Sequence, residues 1–163
     1  MLSTVPFVIV LTFLGQLSAD QDNGSLISET HSTMHNQKII PPKFELIGSR
    51  YFYIELSSPE TWDKSAEICR GMGGYLAAFK TQEEIAAITP KLYYIVWFWT
   101  GIKHSKEDGK FISTASGKPA TVFKWREGEP SNSGDCVYLG DLGMGVFNCS
   151  DTSYFICQSD NET

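Results

Sequence analysis

Apolar and polar positions divide the 163-residue chain into four unequal stretches. Residues 1–19 hold an almost wholly apolar run, Val5 to Leu17, broken only by Pro6, Thr12, Gly15 and Gln16. Residues 20–43 are polar, nearly free of aromatic side chains and end near Ile40-Pro41-Pro42, the pattern of a flexible arm. Residues 44–158 mix short aromatic and β-branched runs with turn formers, which predicts the folded domain, and residues 159–163 form a polar tail.

Within the domain, Phe44 to Ile54 predicts a strand, or two strands around the Gly48-Ser49 bend. Ser58 followed by Pro59 predicts a helix start. That helix places Trp62, Ala66 and Cys69 on one face and ends at Gly71 and Gly73-Gly74. Thr81 with Glu84 three residues on forms a capping box for a second helix, which buries Ile85 and Ile88 and stops at Pro90. Leu92 to Trp99 is apolar, too short to cross a membrane and suited to a buried strand. Strands are expected at Val96 to Ile102, Lys110 to Ser113, Val137 to Leu139 and Tyr154 to Gln158. Helices early and strands late predict an α+β domain on antiparallel strands, with a long irregular loop between Ile102 and Val137.

Composition narrows the class of protein. The apolar run before Leu17-Ser18-Ala19 is shorter than the ~20 residues of a membrane span, so residues 1–19 read as a cleaved secretory signal and no span is expected in the mature chain. A net charge of -6 argues against nucleic acid as a partner. Cys69, Cys136, Cys149 and Cys157 are an even set in a chain expected to be secreted and extracellular, with three possible pairings. A zinc site lacks support because no C-x-x-C pair occurs and His31, His35 and His104 have no ligand spacing. Enzyme activity is not expected: there is no G-x-S-x-G elbow, no H-E-x-x-H and no phosphate-cradling glycine loop, and His104 lies in a Lys-rich turn.

Five motifs in order then carry a resemblance: Cys69-Arg70-Gly71-Met72-Gly73-Gly74-Tyr75-Leu76-Ala77, Trp99-Thr100-Gly101-Ile102, Trp125 followed by Gly128-Glu129-Pro130, the three late cysteines, and the ending Tyr154-Phe155-Ile156-Cys157. Together they resemble a C-type lectin-like domain, and secreted insect members in particular. The resemblance implies the double-loop fold with two disulfides, Cys69 to Cys157 and Cys136 to Cys149. It also implies a packed Trp99, a close backbone approach at Gly101 and a cis peptide before Pro130.

In sugar-binding members of that family a calcium ion is held by a Glu-Pro-Asn triplet, a Glu before the Asp-Cys pair, and an Asn-Asp pair before the next cysteine. Calcium takes six to eight oxygens, so each loss weakens the site. Here the triplet is Glu129-Pro130-Ser131, Gly134 stands before Asp135-Cys136, and Gly145 and Val146 occupy the places of the Asn-Asp pair. Glu129 and Asp135 are what could remain of a calcium site, with Glu129 otherwise solvated or paired with Lys124 or Arg126. No cofactor is certain, although calcium is possible, and added calcium is expected not to raise the melting temperature.

The implied partners are glycans or glycoproteins, touched by Glu129, Ser131, Asn132, Asp135 and Phe147, with weak or no dependence on calcium. Trp125 and Tyr138 are expected in the core, and Phe147 exposed beside the degraded site. A lectin-like module that binds protein and no sugar is the alternative reading. Of three N-x-[ST] matches, at Asn23, Asn148 and Asn161, the one in the arm, Asn23, is the expected glycosylation site.

Overall fold

A computed structural model of the chain describes residues 39–161. The expected bend resolves into two strands, β1 (Glu45–Ile47) and β2 (Arg50–Glu60), joined through Gly48 at φ 64°. Helix α1 (Trp62–Gly71) follows, then β3 (Tyr75–Leu76), helix α2 (Gln82–Ile88) and a 3-10 turn at Thr89–Lys91. Five strands complete the domain: β4 (Phe98–His104), β5 (Phe111–Ser113), β6 (Cys136–Gly140), β7 (Gly143–Phe147) and β8 (Ser153–Gln158).

The strands form one sheet in the order β1-β2-β8-β4-β6-β7, with β3 against β8 and β5 against β4. All ladders are antiparallel except β4 with β8, where Phe98 and Trp99 lie beside Tyr154 and Phe155 in parallel. The sheet is covered on both faces, so its central strands read as continuous apolar runs instead of alternating ones. Phe52, Phe98, Ile102, Val137, Leu139, Val146 and Ile156 pack with Ile85 and Ile88 of α2. The intervening Trp99, Cys136, Tyr138, Phe155 and Cys157 pack with Trp62 and Cys69 of α1. The disulfides are Cys69–Cys157 and Cys136–Cys149, as the resemblance implied. At Gly101 a side chain would place its Cβ 2.2 Å from the Leu76 carbonyl oxygen, so the close approach requires glycine.

Four expectations need correction. Helix α1 does not start at Ser58-Pro59. Strand β2 runs on to Glu60, and Thr61 is the cap, its hydroxyl accepting from the Lys64 amide. The Ser57 and Ser58 amides instead donate to the Glu55 carboxylate, which occupies the segment. Glu84 does not return to its own cap residue: its carboxylate accepts from the Lys80 amide and from Arg50. Leu92 to Trp99 is not a buried strand. Only Phe98 and Trp99 enter β4, Ile95 adopts φ 60°, and Tyr93, Tyr94, Ile95 and Trp97 are exposed. A short apolar run has the same appearance whether it is buried or displayed. Finally, β7 was not foreseen, because two of its residues, Gly145 and Val146, were read as places of lost ligands.

Arg50 ties the residues after β8 to the domain. Its guanidinium donates to the Ala78 carbonyl at 3.1 Å, to Glu84 at 3.1 Å and to Asp160 at 2.6 Å, so residues beyond β8 are held against the domain.

Candidate functional site

The Lys-rich turn after β4 and the residues leading into β6 face each other across a groove of about 550 Å³. His104, Lys106 and Phe111 line one side, and Ser131, Asn132 and Asp135 line the other. The His104 amide donates to the Asp135 carbonyl at 2.7 Å, which fixes the two sides to each other. The Asp135 carboxylate lies 2.9 Å from the Lys106 ammonium and 3.5 Å from His104 Nδ1. The Lys106 hydrogen bond, its charge and the His104 contact outweigh partial burial and hold the Asp135 carboxyl below its ordinary pKa. On the other side, Ser131 Oγ bonds Ser133 Oγ at 2.9 Å, and Asn132 is exposed at the rim.

Glu129 behaves differently. The peptide between Glu129 and Pro130 is cis, as expected, and the Glu129 side chain is only 6% exposed. Its carboxylate accepts from the Ser131 amide at 2.7 Å, the Val146 amide at 3.2 Å and the Ser131 hydroxyl at 3.3 Å, with Arg126 at 3.9 Å. Of its two suggested basic partners, Arg126 is the one in contact. A carboxylate surrounded by N–H and O–H donors has its lone pairs engaged and offers little to a cation.

The positions at which the resemblance places calcium ligands are filled by packing. A Cβ at Gly134 would lie 2.0 Å from the Phe147 carbonyl oxygen, and one at Gly145 would lie 2.3 Å from the Tyr138 hydroxyl. Val146 is buried in the core. Tyr138 lies across Gly145, and its hydroxyl is buried without a partner among the described residues. Burial pushes its pKa up, with the Glu129 charge adding to the effect and Arg126 opposing it. Phe147 does not line the groove. Its ring is half-buried against Trp97 at 4.5 Å and Tyr138 at 4.8 Å.

The structure therefore brings Ser131, Asn132 and Asp135 to one groove and keeps Glu129 and Phe147 out of it. His104 and Lys106 are the groove residues that the sequence reading missed as ligand contacts. Their signal was the cluster of basic residues directly after Trp99-Thr100-Gly101-Ile102. No three His, Cys, Asp or Glu side chains converge among the described residues. With Glu129 engaged, Asp135 on an ammonium and no room for a side chain at Gly134, these residues do not fit calcium.

Comparison with known proteins agrees with this architecture. The sequence profile described as Lectin C-type domain matches residues 58–159. Accessory gland protein Acp29AB of Drosophila melanogaster is 29% identical over 158 residues, covering 93% of this chain and 66% of that protein. C-type lectin 37Db of the same species is 32% identical over 119 residues, covering 69% of this chain and 79% of that protein. The chain thus spans slightly less than two thirds of the accessory gland protein. Among solved structures, the mouse scavenger receptor C-type lectin carbohydrate-recognition domain aligns with a TM-score of 0.66 at 22% identity, covering 76% of this chain and 98% of that one. A calcium-independent type II antifreeze protein aligns at 0.64 and 26% identity, covering 76% and 95%. The chain belongs to the C-type lectin domain family. That family and fold are lectin-type recognition domains and not enzymes.

Proposed function

We propose that this chain is a secreted recognition protein that binds glycans or glycoproteins through the groove between His104 and Asp135, without a calcium ion. Secretion is supported by the apolar leader at residues 1–19, whose fold lies outside the described residues, and by two disulfides. No helix among the described residues is long and apolar enough to cross a membrane. Asn23, the proposed glycosylation site, also lies outside the described residues.

The single observation that carries the calcium-free reading is the Lys106 ammonium 2.9 Å from the Asp135 carboxylate. An internal cation meets the charge that a metal would otherwise meet. The hydroxyl of Ser131, the amide of Asn132 and the remaining donors of Lys106 and His104 then offer the alternating donors and acceptors that sugar hydroxyls pair with. Asp135, Ser131 and Asn132 are the proposed contacts, while Glu129 acts by holding the loop between them and β7.

A glycan array probed in millimolar calcium and again in chelator tests this. Saturable binding of equal strength in both conditions, competed by free sugar and lost in Asp135→Ala, is the expected result. Binding that disappears with chelator overturns the calcium-free reading. Silence in both conditions overturns sugar recognition and leaves the protein-binding alternative.

A further inference from the structure

The apolar segment that failed to become a strand lies at the other end of the hairpin from the groove. Tyr94 is 77% exposed, Ile95 70% and Trp97 39%, and beside them Leu142, in the turn between β6 and β7, is 73% exposed. These four side chains, with Arg126 and Asp141, line a single cleft of about 260 Å³. Two features mark the display as specific. Ile95 holds φ 60°, a conformation that β-branched residues rarely adopt, and it does so with its side chain in solvent. Leu142 occupies a two-residue hairpin turn, where Asn or Gly is the ordinary choice.

We propose that this face binds a second copy of the same chain, forming a two-fold dimer in which each Leu142 enters the cleft of its partner. The first argument is area. A large side chain carries ~150–250 Å², so at their observed exposures the four residues offer roughly 400 to 650 Å² of mostly apolar surface. A standard interface covers about 800 Å² per partner, slightly more than half of it apolar, so ~450 Å² is what one partner must supply.

The second argument is charge. A two-fold interface must be complementary to itself. The cleft contains one cation and one acid, Arg126 and Asp141, and Asp141 has no ion-pair partner among the described residues. Across a two-fold axis, each Arg126 can meet the Asp141 of the other copy, so the interface is neutral although the chain carries -6. Trp97 under the Arg126 guanidinium, 6.0 Å from ring centroid to Cζ, supplies the aromatic and Arg anchors that dominate such contacts.

The test is the solution mass of the full chain, produced through a secretory host so that its disulfides form, by light scattering across concentration. The mass should rise from one chain to two. Leu142→Glu should weaken self-association roughly 30-fold or more, the scale of a lost central anchor. Ile95→Gly should weaken it too while leaving the melting temperature unchanged or higher, because glycine relieves the left-handed backbone. Asp141→Arg chains and Arg126→Asp chains should each stay monomeric alone and pair when mixed, since every charge contact in the mixed dimer is opposite in sign. A single-chain mass at all concentrations overturns the proposal. So does a dimer that survives both Leu142→Glu and Ile95→Gly. Leu142 and Ile95 lie away from the groove, so with Leu142→Glu and Ile95→Gly glycan binding is read separately from mass.

Discussion

Where β6 and β7 open toward the groove, the carboxylates of Glu129 and Asp135 are already met by amides, a guanidinium and an ammonium; where the two strands close, Leu142 faces solvent beside Ile95. The first end satisfies its polar groups internally, so it neither needs nor favours an ion. The second leaves apolar surface uncovered, which is the condition that a partner relieves. Carboxylates at one end can therefore be met by donors of the same chain, while a connecting segment at the other presents a surface without regular structure.

The strongest way to break this comparison is to put a ligand side chain back at the groove end. Gly134→Glu restores the carboxylate that sugar-binding members have there, but its Cβ would meet the Phe147 carbonyl at 2.0 Å. Overpacking of this kind should cost about 3 kcal/mol, read as a lower urea midpoint, with no recovery on adding calcium. A variant as stable as the parent would show that the end is not packed shut.

Glu129→Gln keeps the shape and removes the charge. The Ser131 and Val146 amides both donate to one oxygen, which the new carbonyl can replace, while the new NH2 turns toward the Ser131 hydroxyl and Arg126; loss of the charge-assisted bonds should cost about 2 kcal/mol in chemical unfolding. A change near zero would mean that the carboxylate does not hold the loop.

The smallest effect belongs to the half-exposed pair. Lys106→Ala should cost only about 0.5 kcal/mol at neutral pH, since surface ion pairs contribute little. The Asp135 carboxyl is held below its ordinary value, so the contribution of its contacts is complete above about pH 4 and is lost as pH falls through its lower folded value. The stability difference between parent and Lys106→Ala should accordingly close in acid. A difference that widened there would contradict the assignment.

Much of the fold was legible because local signals agreed with global ones. Thr81 and Pro90 bracket α2, Gly48-Ser49 turns β1 into β2, and Trp99-Thr100-Gly101-Ile102 is β4. The site was legible only in part. The missing oxygens at Gly134, Gly145 and Val146 could be read from the order of motifs, but what replaced them could not. Lys106 is separated from Asp135 by 29 positions, and Arg50 from Asp160 by 110. Such pairs leave no periodicity. The exposure of Tyr94 and Ile95 was hidden for a related reason: an apolar run records affinity for a nonpolar neighbour and not whether that neighbour lies in the same chain.

The sequence by itself determined the family, the two helices and most of the strands, because each depends on residue type at short spacing. The tertiary structure alone decided that Glu129 is closed off by backbone amides, that Lys106 stands against Asp135, and that an apolar segment stays at the surface. Those outcomes depend on which groups the folded chain brings within a few ångströms of one another, where desolvation and charge act and sequence distance does not.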